Sequence, residues 1–147
     1  MFLAHIPVNH HLRPVYRVLS GIAALYLLVF GIIGVVQASG LDLYAREDLP
    51  TVLGQQVNPA YAGLSLVFGV ISLVATVIGR NLDHYVNHWV GLVLLGIGLA
   101  MLALMRTDAN ILGFEMTNVI VIFVIGSLLS TAGLYTKVGP TATAAAH

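Results

Sequence analysis

Four uninterrupted apolar runs, Val18 to Val36, Ala60 to Ile78, Trp89 to Met105 and Val119 to Tyr135, constrain this chain more than any other feature. Each holds roughly 17 to 19 residues with no charged side chain, and at about 1.5 Å per residue it reaches roughly 26 to 28 Å, close to a hydrocarbon core of about 30 Å. Inside lipid every backbone N–H and C=O must find its partner within the segment, so the runs are expected to be helical spans, and their continuity does not suit barrel strands. The expected fold is therefore all-α, an integral membrane four-helix bundle forming one domain over residues 1–147.

Composition sets the same class. Of the 147 residues, 59% are hydrophobic and 8% charged, with a mean hydropathy of +0.95; an ordinary soluble domain carries roughly 25% charge. Six basic residues balance six acidic ones, so no net field draws nucleic acid to the chain. The absence of cysteine removes disulfides, thiolate metal sites and thiol nucleophiles together. A cleaved signal peptide is disfavoured, because the first apolar run exceeds an h-region of about 7 to 15 residues.

Helix boundaries are expected at Pro14, at Asn58 before Pro59 and at Thr117 or Asn118, where caps or a first-turn proline suit a helix start. Gly40, Gly79 and the Gly139, Pro140 pair are expected to terminate helices. Arg13, Arg17, Arg80 and Lys137 fall on one side of the spans against Arg46 and Arg106 on the other, which by the positive-inside rule places both ends of the chain in the cytoplasm. Tyr16, Tyr61, Tyr85, Trp89 and Tyr135 lie near span ends, as interfacial rings do, and only Tyr26 falls well inside a span. The segment from Leu41 to Val57 mixes apolar and acidic residues and is expected to lie on the membrane surface.

Lipid supplies no hydrophobic drive between helices, so small residues mark their contacts. Ser65, Gly69, Ser72 and Thr76 share one face of the second span, and Gly126 and Ser130, with Gly133, form a stripe on the fourth. These faces either build the bundle or receive a membrane-protein partner or second copy.

Few residues suggest chemistry. His84 and His88, four apart at the start of the third helix and so on one face, could aim at a shared metal ion, with His10, His11 and Asp83 on the same side, although the pair lacks the glutamate of the zincin signature. No charged residue lies within a run and no nucleophile or paired-carboxylate arrangement is visible, so neither a transporter, an enzyme nor a bound cofactor is expected. Arg106, Asp108 and Asn110 are expected to pair locally and shape the turn into the fourth span.

The loop motifs Leu12-Arg13-Pro14-Val15-Tyr16-Arg17, Val52-Leu53-Gly54 followed by Asn58-Pro59, Gly79-Arg80-Asn81-Leu82-Asp83-His84 with Asn87, and Arg106-Thr107-Asp108-Ala109-Asn110 carry a resemblance. In that order, from about His10 to Pro140, the chain resembles a bacterial family of four-span proteins catalogued as domain of unknown function 4383. The resemblance implies a multi-pass protein of the bacterial cytoplasmic membrane, in which Arg80, Asn81, Asp83, Arg106, Asp108 and Asn110 belong to the family pattern. It implies no catalytic or binding residue. The chain departs from the pattern at Tyr61 and Ser65, where the family places histidines, which weakens any family-wide histidine site. The function expected is that of a non-enzymatic accessory or structural partner in a membrane assembly. The alternative is a small-ligand or metal binder that uses the histidines or an interhelical cavity.

Overall fold

A computed structural model describes residues 6–140. Helices α1 (Arg13–Gln37), α2 (Pro59–Ile78), α3 (Leu82–Leu104) and α4 (Met116–Tyr135) run antiparallel in chain order, with a short hairpin of β1 (Thr51–Val52) and β2 (Gln55–Gln56) between the first two. All four helices are long and apolar enough to cross a membrane. The bundle thus has a terminal end, where α1 begins and α4 finishes, and a loop end, which carries the two longer connections.

Two helices outrun their apolar stretches. Helix α1 begins at Arg13, before Val18, and α3 at Leu82, before Trp89; at about 1.5 Å per residue they reach about 37 and 35 Å. Charged and histidine side chains therefore stand on regular helical turns, which an apolar-run criterion does not register.

Packing follows small residues. A Cβ added at Gly69 would fall 2.5 Å from the Leu28 nitrogen, and one at Gly31 equally close to the Leu66 nitrogen, so α1 and α2 touch backbone to backbone. Across α3 and α4, a Cβ at Gly91 would meet the Gly126 carbonyl at 2.6 Å, and Gly133 lies against His88. Ser65, Gly69, Ser72 and Thr76, like Gly126 and Ser130, are buried in these contacts. Helices α1 and α2 pack along one another, as do α3 and α4, while the two hairpins meet less extensively through α1 with α4 and α2 with α3. Phe30, Leu94, Ile122 and Leu129 fill the centre. Outward faces carry Val67, Val70, Val74 and Val77 on α2 and Leu92, Val93 and Leu99 on α3, an aliphatic surface suited to lipid.

The boundary expectations hold at Pro14, in the first turn of α1, and at Asn58 and Gly79, and change elsewhere. Asn58 caps α2 by accepting from the Tyr61 N–H at 2.9 Å, and Gly79 closes that helix at φ 69°. Gly40 and Gly139 terminate nothing, since α1 is capped at its end by Ala38 and α4 by Thr136, both with ordinary negative φ. Thr117 lies inside α4; the cap is Glu115, in a capping box with Asn118. The Leu41 to Val57 segment does not simply rest on a surface. Its hairpin turns through Leu53 and Gly54, both left-handed, and folds Val52, Gln55 and Val57 into the loop end, while Leu43, Tyr44 and Leu53 stay exposed.

Candidate functional site

The densest polar chemistry lies at the terminal end. Arg13 and Arg17, one turn apart on α1, both approach one oxygen of Asp83 on α3, at 3.4 and 3.3 Å. The Asp83 side chain is fully buried, and its other oxygen accepts from the His84 N–H at 3.1 Å. A carboxylate removed from water is costly unless charge and hydrogen bonds offset the loss, which the two guanidiniums do here. They also tie the helices together: Arg13 Nε donates to the Thr136 carbonyl at the end of α4 (2.8 Å), and Arg17 Nη2 to the Thr76 carbonyl of α2 (2.5 Å). One turn deeper, Asn87 donates to the Thr76 hydroxyl at 2.9 Å, which donates to the Ser72 carbonyl at 2.8 Å.

Sequence reasoning placed Asp83 in a loop and missed this triad. The signal was present in the spacing, because Arg13, Arg17 and Ser20 on α1 and Asp83 and Asn87 on α3 recur at three and four residues, the step of one helical face.

His84 and His88 do share a face of α3, but both turn toward α4. His84 Nδ1 lies 2.7 Å from the Gly133 carbonyl, and His88 Nδ1 lies 3.1 Å from the Ser130 carbonyl. A carbonyl only accepts, so Nδ1 of each ring is the donor, and the Ser130 hydroxyl oxygen also lies 3.2 Å from His88 Nδ1. Among the described residues no group of three or more His, Cys, Asp or Glu side chains is placed to hold a metal ion. His10 and His11 stack on each other at 4.5 Å between ring centroids, and His10 meets the edges of Tyr16 and Tyr135.

The tight turn between α2 and α3 has a second task. Arg80 and Asn81 both take positive φ, a conformation asparagine tolerates well, and the Asn81 amide pairs with Val138 on both sides, accepting at 2.6 Å and donating at 2.9 Å. Asn9 clasps Gly139 in the same two-sided way, at 3.1 and 2.7 Å, and its own N–H donates to the Lys137 carbonyl. Two asparagine side chains from distant parts of the chain thus hold the segment that follows α4.

At the loop end amides replace charges. Gln55, fully buried, donates to the Tyr26 hydroxyl at 2.8 Å and accepts from Tyr61 at 3.1 Å. This accounts for the one tyrosine placed well inside a span, and nothing in the apolar pattern marked Gln55 as its partner. Asn58 donates to the carbonyls of Ala45 and Ile111, and Asn118 to that of Gln56, so both connections are anchored to helix starts. The expected pairing of Arg106 with Asp108 is corrected. Asp108 meets Arg46 of the other connection at 3.1 Å, and Asn110 shapes the turn through Phe114 and the Met105 carbonyl.

Four lipid-compatible helices, closed at one end by a buried ion triad and at the other by amide clasps, define a small multi-pass membrane protein of the four-helix-bundle class. Comparison of the chain with family models, with curated proteins and with solved structures returns no match.

Proposed function

We propose that the protein is a non-enzymatic accessory or structural subunit that receives a transmembrane helix of a partner, or of a second copy, on the outer face of α3. One observation carries the reading. A Cβ added at Gly96 would meet nothing, and Gly96, Ala100 and Ala103 recur on one exposed face of α3, whereas Gly31, Gly69, Gly91 and Gly126 are used inside the bundle. Small residues turned to lipid make little dispersion contact themselves but let another helix backbone come close. Exposed Tyr85 and Trp89 continue the same face toward the terminal end.

The reading includes cytoplasmic placement of both chain ends, membership of the four-span family named above and a bacterial cytoplasmic membrane as the setting. The placement of the ends is supported by the charge distribution. Among the described residues Arg13, Arg17, Arg80 and Lys137 stand against Asp83 at the terminal end, and Arg46 and Arg106 against five acids at the loop end.

Gentle extraction from the native membrane with quantitative mass spectrometry tests the idea. A stoichiometric partner or defined homo-oligomer with the wild type, lost in Gly96→Leu while the thermal midpoint is unchanged, is the expected result. A wild type that emerges as a lone monomer refutes the accessory role, and a partner retained by Gly96→Leu refutes the face.

A further inference from the structure

We propose that the flank between α1 and α4 binds one anionic diacyl phospholipid, with an acyl chain in the groove and the phosphate at the basic rim of the terminal end. The groove is about 470 Å³ and is lined by Tyr16 and Leu19 from α1 and by Phe123, Ser127, Leu128 and Thr131 from α4. It lies where the two hairpins meet less extensively, on helices that contact lipid. From Phe123 to Ala132 it follows α4 for about 14 Å at about 1.5 Å per residue, a length suited to much of one acyl chain.

The top of the groove is built for the interfacial layer. Tyr16 and Tyr135 stack across the α1 and α4 junction with ring centroids 4.7 Å apart, and His10 leans on both. Aromatic rings of this kind settle at headgroup level. Exposed Thr131 stands one turn below Tyr135, about 6 Å deeper, where its hydroxyl can donate to an ester carbonyl of a lipid glycerol.

Charge selects the headgroup. Arg13 holds the Thr136 carbonyl at the rim, and Lys137 follows directly in sequence. Two guanidiniums share a single carboxylate oxygen, so the triad keeps one uncompensated positive charge; the Arg17 head lies on the α2 side by Thr76 and Gly79, while Arg13 reaches the end of α4 beside the groove and its side chain remains 22% exposed. Arg80 and Lys137 bring the excess at this end to three positive charges with the histidines neutral. Basic groups beside a span are attracted to anionic headgroups, whereas a zwitterionic lipid offers them no net charge. This site is on a different flank from the α3 face, so it stands or falls independently of the partner reading.

The test uses the full chain in mild detergent, delipidated and then titrated in native mass spectrometry with phosphatidylglycerol or phosphatidylcholine of identical acyl chains. The expected result is one tightly retained phosphatidylglycerol, a preference of at least about fivefold over phosphatidylcholine, the effect of one basic side chain near an anionic headgroup. Lys137→Gln should shrink that preference, and Ser127→Phe, which fills the groove from an exposed position, should lower retention of both lipids. Equal retention of the two lipids by the wild type would overturn the proposal, as would phosphatidylglycerol binding that survives Ser127→Phe. Displacement of the lipid by soluble glycerol phosphate at similar concentration would also overturn it, because charge alone would then suffice. A second protein chain found in the groove would assign it to a partner instead.

Discussion

Replacing Asp83 by asparagine tests whether the carboxylate holds the terminal end together. The substitution keeps the side-chain shape and the oxygen that accepts from the His84 N–H. In place of the oxygen facing Arg13 and Arg17 it puts an amide NH₂, so donors face donors. Removing one member of a buried ion pair costs about 3–5 kcal/mol, because the survivor is left without compensation. Here the survivors are guanidiniums exposed by 22% and 33%, which can turn to water or headgroups, and screening reduces the expected loss to about 2–3 kcal/mol. For a chain of this size that is a fall of roughly 5–10 °C in the thermal midpoint. Circular dichroism melting in detergent reads it, with Arg46→Ala as the control, since that pair includes a fully exposed Asp108 and should leave the midpoint unchanged. A triple replacement of Arg13, Arg17 and Asp83 by apolar residues of similar size should recover part of the loss. If Asp83→Asn melts with the wild type, the triad is not what fastens this end.

Two further outcomes follow from the packing and the amide clasps. Gly91→Ala should cost about 1–3 kcal/mol by forcing α3 away from Gly126, whereas Gly96→Ala, five residues along the same helix, should leave stability unchanged; paired melts separate the two. Asn81→Ala removes both bonds to Val138, at about 0.5–1.5 kcal/mol each, and should speed tryptic cleavage after Lys137 by at least about fivefold, and an unchanged cleavage rate would show that Asn9 suffices.

The apolar runs were enough to find all four helices, because a lipid-exposed helix must be apolar over its whole width and announces itself in composition. They stop short of the helix starts at Arg13 and Leu82, where the chain leaves the hydrocarbon and polarity no longer distinguishes helix from loop; there the local signal of Pro14 was needed to mark the first turn of α1. Small residues at Gly69 and Gly126 marked helix contacts, but spacing alone could not say which stripe faces inward, so Gly96 looked no different from Gly91 until the register of α3 on α4 was known. The polar sites were least legible. Arg13, Arg17 and Asp83 meet across a separation of about 70 positions, and Gln55 reaches Tyr26 across 29; such pairs depend on helix register. Asn58 is the exception, since its capping role is local and the following proline signals it.

The clasp between Asn9 and Gly139 spans 130 positions, and it sets an order for biogenesis. At about 5–20 residues per second the first hairpin can pack as soon as α2 has entered the bilayer, because Gly31 and Gly69 need only each other's helices. Arg13 and Arg17 must then wait for Asp83, and Asn9 and Asn81 for the segment after α4. During that interval Arg17 can already reach the Thr76 carbonyl of α2, whereas neither guanidinium yet has its carboxylate. Arrival of Val138 and Gly139 is therefore the event that seals the bundle, and a nascent chain stalled before Val138 would stay open at its terminal end.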